Sequence, residues 1–153
     1  MALTSQPEIR ALEAMQGGRV QFYTPQTSHE TMMVHIPPNA IEQLFVHHFQ
    51  TDQLLVVKGG FVLVLLVNRQ YRYLFLSEQN PQVVKIPPGV PHAAINLTSV
   101  PCILVNAVLR HGSPHPKDYT PIQPPFPYDL NLALSQMQDS SIPVLSASAR
   151  EGQ

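Results

Sequence analysis

The stretch that most constrains the fold is Pro87-Pro88-Gly89-Val90-Pro91-His92-Ala93-Ala94-Ile95-Asn96. Proline fixes φ and glycine tolerates a positive φ, so the first three residues impose a tight turn. Val83, Val84 and Ile86 lead into it as one strand, and His92 to Asn96 leave it as another. A polar His thus opens a strand that is otherwise Ala, Ala and Ile. Its side chain points into an enclosed space or onto a packed face.

The same rhythm runs along the chain from Val20. The remaining candidate strands are Val20–Tyr23, Thr31–Ile36, Gln43–His48, Leu54–Val57, Phe61–Val67, Tyr71–Leu76 and Ile103–Leu109, with Pro, Gly and Asn at the breaks. Short, evenly spaced strands with no long helix between them predict a sandwich or closed barrel. Phe61–Val67 is apolar on both faces, which predicts the core on one side and a partner surface on the other. Tyr71, Tyr73 and Phe75 alternate onto one face as packing residues.

The ends read differently. Ser5-Gln6-Pro7-Glu8 has the form of a capping box and predicts a short helix with Ile9 and Leu12 on one face, stopped by Gly17-Gly18. After Leu109, prolines 114, 116, 121, 124, 125 and 127 predict an extended arm wrapping the barrel, and Asp129 to Gln136 a short terminal helix. The expected division is therefore 1–19 as helix and arm, 20–112 as barrel, and 113–153 as Pro-rich arm and helix.

Only 12% of residues are charged and the formal net charge is −1, which gives no basis for a nucleic-acid partner. The 44% apolar content, together with the two-faced strand, predicts a homodimer. The first residues lack the basic and apolar pattern of a signal peptide, and Phe61–Val67 is too short to span a bilayer. The expectation is a cytoplasmic protein without a membrane partner. Cys102, the single cysteine, lies among apolar residues and reads as a buried thiol.

The P-x-G-x-x-H-x-x-x-N pattern resembles the second signature motif of the cupin superfamily, small jelly-roll barrels of the double-stranded β-helix type. The resemblance implies that His92 reaches into the barrel. The glycine that the family places six residues before this motif is Pro81 here. The first cupin motif falls on His47-His48-Phe49-Gln50-Thr51-Asp52-Gln53, and counting back from Gly59 puts its acid at Asp52 and its second His at His48. The first His would fall on Val46. His47 points the other way on an ideal strand, although a bulge would turn both inward. This resemblance implies a metal alternative, an oxygenase or isomerase with His48, Asp52 and His92, joined by His47, around Fe, Mn, Ni or Zn.

The order Val46-His47-His48-Phe49-Gln50, Val57-Lys58-Gly59-Gly60-Phe61, Leu76-Ser77-Glu78-Gln79-Asn80 and Ile86 to His92 resembles dTDP-4-dehydrorhamnose 3,5-epimerase. The dTDP-sugar 3,4-ketoisomerases are similar too, with a His followed five residues later by Gln, as His48 and Gln53 are here. What these resemblances imply is a ligand that is a sugar or nucleotide-sugar, and proton removal beside its keto group by His48. Asp118 would hold the base and His92 the substrate, with Gln50, Gln53, Arg72 and Asn96 as further binding residues. The sequence departs from the family at the acid tyrosine, where it has Val105, and at the arginine before the L-H-F-Q element, replaced by Glu42-Gln43-Leu44-Phe45. Those departures imply a further alternative, a cupin that binds a carbohydrate or other small metabolite without turnover. His29, His35, His111 and His115 read as surface or loop residues.

Overall fold

The structure, a computed structural model, describes residues 6–23, 28–113, 118–140 and 142–145. Its strands are β1 (Glu8–Ala11), β2 (Glu13–Met15), β3 (Val20–Phe22), β4 (Glu30–Ile36), β5 (Ala40–Ile41), β6 (Phe45–Val46) and β7 (Gln50–Lys58). They continue with β8 (Gly60–Val67), β9 (Gln70–Ser77), β10 (Gln82–Ile86), β11 (His92–Asn96), β12 (Cys102–Arg110) and β13 (Thr120–Pro121), and one helix, α1 (Leu130–Gln138), follows. One sheet runs β1-β10-β7-β12-β4 and the other β13-β6-β11-β8-β9, with β5 also paired to β11. This is the cupin jelly-roll barrel. Among the described residues, no helix is long and apolar enough to cross a membrane.

The barrel interior is filled by alternate residues of both sheets, among them Leu54, Val56, Phe61, Leu63, Leu65, Val84, Ile86 and Leu104. β8 and β9 form a hairpin whose turn residues Asn68 and Arg69 both have positive φ (53° and 62°), the conformation a two-residue hairpin requires. Cys102 is fully buried, and burial pushes its thiol pKa up to about 12, so it is inert.

Two expectations need correction. Among the described residues the expected N-terminal helix does not form: Glu8–Ala11 is β1, paired antiparallel with β10 from Glu8↔Lys85 to Ala11↔Gln82. The open edge of β10 offers backbone partners to an extended chain, and that tertiary pairing outweighs a local capping pattern whose Ser5 lies outside the described residues. Gly17 and Gly18 stop no helix; they form the turn between β2 and β3, at φ of 66° and 89°. The outer face of β8 is not open to a partner either. Val62 and Val64 are fully buried, with Ile95 and Leu97, beneath Ala133, Leu134 and Met137 of the chain's own helix and beside Tyr71, Tyr73 and Phe75. Asp129 caps that helix by accepting from the Leu132 N–H at 3.0 Å.

Candidate functional site

The turn between β10 and β11 builds the site. Gly89 adopts φ 84°, and its N–H donates to the His47 carbonyl at 2.7 Å. Three residues on, His92 enters β11 buried, and its ring sits on the Val90 carbonyl, Nδ1 to oxygen 2.9 Å. One turn thus fixes the backbone of one histidine and the ring of another.

Both histidines face a cavity of about 320 Å³. Its polar side carries Glu42, His47, Gln50, Asp52, His92, Asn106 and Tyr119, and Leu54, Phe61, Leu63 and Leu104 form an apolar wall. Asp52 is the buried centre. Its Oδ1 accepts from Gln50 Nε2 (2.6 Å) and Asn106 Nδ2 (3.0 Å), and its Oδ2 lies 3.3 Å from His92 Nε2 and 3.8 Å from His47 Nε2. Burial alone would raise the Asp52 pKa. Its bond to His92 and those from Asn106 and Gln50 prevail and hold it at about 2.

His47 sits between two carboxylates. Its Nδ1 is 3.8 Å from Asp118 Oδ2, beyond hydrogen-bond length, and is buried without a hydrogen-bond partner. Burial lowers its pKa. Asp52 and Asp118 act the other way, while His92 adds to the lowering. Asp118 Oδ1 accepts the backbone N–H groups of His48 (2.7 Å) and Phe49 (2.9 Å), so this carboxylate clamps the segment that carries His47. Next to it, Tyr119 stacks on Phe45 with ring centroids 4.6 Å apart, and lies 6.0 Å from the His47 ring. Desolvation, and then the charge of Glu42, raise its pKa. Desolvation raises the Glu42 pKa, while the Ala94 N–H that its Oε2 accepts at 3.1 Å pulls the other way.

The structure gathers some of the expected residues and disperses others. His92, Asp52 and Gln50 line the cavity, and Asp118 stands behind His47. His48 does not: its ring is exposed, and His47 takes the inward position. These residues lie between β6 and β7 rather than inside a regular strand, so strand parity does not apply there. The side-chain donors of His47, Asp52 and His92 lie within 4.8 Å of one another, and His48 is not among them.

Gln53 turns to the other face of β7, where its Nε2 donates to the Ala107 carbonyl at 2.9 Å. Arg72 is exposed on β9, away from the cavity. Asn96 is fully buried and structural: Nδ2 donates to the carbonyls of Ile36, Pro37 and Val100, and Oδ1 accepts from Thr98 N and Oγ1. Val105 faces away from the cavity, which Leu104 and Asn106 line instead. The tyrosine of the site is Tyr119, and the sequence reading missed it. The only signal was its position next to Asp118, since nothing local shows that the arm folds back over the cavity. His29, His35 and His111 are exposed, and His115 lies outside the described residues.

No family model matches the sequence, and neither does any curated protein sequence. Solved structures of similar fold include dTDP-sugar enzymes. A dTDP-sugar isomerase from Desulfovibrio desulfuricans G20 is 15% identical, with TM-score 0.63 over 89% of this chain and 93% of that one. A sugar 3,4-ketoisomerase from Thermoanaerobacterium thermosaccharolyticum, solved with TDP, is 15% identical, with TM-score 0.61 over 88% and 98%. A 3′-monoepimerase from Streptomyces bikiniensis, solved with dTDP-quinovose, is 14% identical, with TM-score 0.61 over 95% and 80%.

Proposed function

We propose that this chain is a sugar epimerase- or isomerase-like cupin that moves a proton beside the keto group of a sugar, with His47 as the base. The observation that carries the reading is a half-buried imidazole on the cavity whose pKa is lowered, flanked by two carboxylates, with a phenol lining the same cavity. A base that starts neutral at pH 7 accepts a proton without first losing one. Asp118 and Asp52 then stabilise the imidazolium formed. His92, fixed by Val90, positions the substrate oxygen, and Tyr119 returns a proton from the mouth.

The fold likeness supports a nucleotide-linked sugar, since a ketoisomerase of this fold was solved with TDP-4-keto-6-deoxyglucose. That compound in deuterated water is therefore the test. Deuterium should enter next to the keto group with wild type and with His48→Ala, and should not with His47→Ala. No incorporation by wild type ends this reading and leaves the binding-only alternative. That alternative predicts a ligand that raises Tm without being converted.

A second reading is favoured by the donor set. With His92 Nδ1 on the Val90 carbonyl, Nε2 remains to face Asp52 Oδ2 and the His47 ring. Two imidazoles and a carboxylate suit Fe, Mn, Ni or Zn, with His47, Asp52 and His92 as the holders. Such an ion would polarise a substrate oxygen as a Lewis acid. Elemental analysis of protein purified without a nickel column decides between the readings: stoichiometric metal, lost in His92→Ala, supports the second. A homodimer remains part of the proposal, since Met33 (69%) and Val57 (56%) stand exposed on strands of the first sheet. Sedimentation equilibrium tests it, and a clean monomer removes it.

A further inference from the structure

Arg110 ends β12 and does not line the cavity, yet it stands at the head of a chain of bonds that reaches Asp52. Its Nε and Nη2 donate to the two carboxylate oxygens of Glu30 on the neighbouring strand, each at 2.9 Å. The fork fixes the guanidinium plane. Its Nη1 then donates to Gln50 Oε1 at 3.2 Å, and Gln50 Nε2 donates to Asp52 Oδ1 at 2.6 Å.

We propose that Arg110 is a positioning residue, which sets the orientation of the Gln50 amide and through it the carboxylate of Asp52. The reason is the donor inventory. A guanidinium has no acceptor, so only the amide oxygen of Gln50 can face it, and the amide nitrogen must face Asp52. Reversed, the Gln50 oxygen would meet a carboxylate oxygen, and Asp52 would lose a donor. Asn106 is held in the same way by a group that cannot reverse, because its Oδ1 accepts the backbone N–H of Gln53 at 2.9 Å. With both amides fixed, Asp52 Oδ1 is occupied by two donors and Oδ2 is left for the imidazoles. The inference concerns the orientation of Asp52 and holds for the proton-transfer reading and the metal reading alike.

The primary test is the side-chain amide NMR signal of Gln50 in the full chain, which needs no substrate. In Arg110→Met the Gln50 signals should move toward those of a solvent-exposed amide while the Asn106 signals stay in place. Arg110→Lys, which keeps a donor without the fork, should restore part of the displacement. An unmoved Gln50 signal in folded Arg110→Met overturns the proposal. Should Arg110→Met not fold, Glu30→Gln, which keeps the guanidinium but loosens its anchor, should displace the same signals by less, and no displacement overturns the proposal.

If wild type turns over TDP-4-keto-6-deoxyglucose, Arg110→Met should lower kcat by roughly 10-fold, as losses of supporting shells around a site do, with KM little changed. A raised KM with kcat intact would place Arg110 on the ligand and overturn the positioning role. Because the amide signals are read without substrate, failure here and failure of the isomerase reading are separate outcomes.

Discussion

His92 Nε2 lies 3.3 Å from Asp52 Oδ2, while the other nitrogen of that ring sits on the Val90 carbonyl. A carbonyl only accepts, so Nδ1 carries a hydrogen. A neutral His92 would then set two acceptors face to face. A proton or a cation between the two atoms would satisfy both.

Acid should weaken the fold. The Asp52 pKa is depressed from an ordinary 3.8 to about 2, so its contribution is present above the unfolded value and lost as pH falls through the folded one. The side chain is only 6% exposed, so little is lost to solvent screening, and the contribution is about 2 kcal/mol. Denaturant midpoints should hold from pH 7 to 5 and drop between pH 5 and 2. In Asp52→Asn this drop should be smaller by that amount. Equal drops in both proteins would remove Asp52 as the cause.

Tyr119→Phe should separate the two halves of the proposed chemistry. With His47 intact, deuterium still enters beside the keto group of the substrate. Net conversion should fall by about 10²-fold, the lower end of what a positioned acid contributes. Proton NMR in deuterated buffer follows both signals, and their loss in parallel would deny Tyr119 a separate role.

Two glycines of positive φ should respond unequally to alanine. A Cβ on Gly59 (φ 78°) would stand 2.7 Å from the Pro101 carbonyl oxygen, whereas one on Gly89 (φ 84°) meets nothing within 4 Å. Gly89→Ala should cost about 1 kcal/mol from backbone strain alone, and Gly59→Ala more than about 2 kcal/mol, since backbone must also move. Urea denaturation of the two variants checks the order.

Asn96→Ala should act on stability and not on the ligand. It strips partners from three carbonyls and from Thr98, all at a fully buried position, and should cost about 3 kcal/mol. Asn96→Asp should fare no better, because a carboxylate cannot donate to those carbonyls. Melting curves with and without TDP-4-keto-6-deoxyglucose give the check: a lost ligand shift in folded protein would restore Asn96 to the binding site.

The barrel was legible because its turns are written in prolines, which fix φ, and in glycine and asparagine, which accept a positive one. Pro87–Gly89, Asn68-Arg69 and Gly59 each mark a strand end, and His92–Asn96 occupies the expected span. The N-terminal segment was misread because its local signal competes with the β10 edge, which only the assembled sheet supplies. The His47–His48 choice was not legible by counting, since neither residue belongs to a regular strand. Asp118 and Tyr119 reach the site by pairing of Thr120 with Val46, a contact between distant segments that no local pattern announces.

The helix over Val62 and Val64 also orders events in time. β8 leaves the ribosome well before the residues that cover it, and until α1 arrives its outer face, with Ile95 and Leu97, is a wet apolar sheet. The closing step thus waits on late-made chain, as does the delivery of Asp118 and Tyr119. A nascent chain halted at β12 would hold a nearly complete barrel that is adhesive on one flank and lacks both arm residues of its site. Synthesis past the arm and α1 covers that flank and supplies both arm residues.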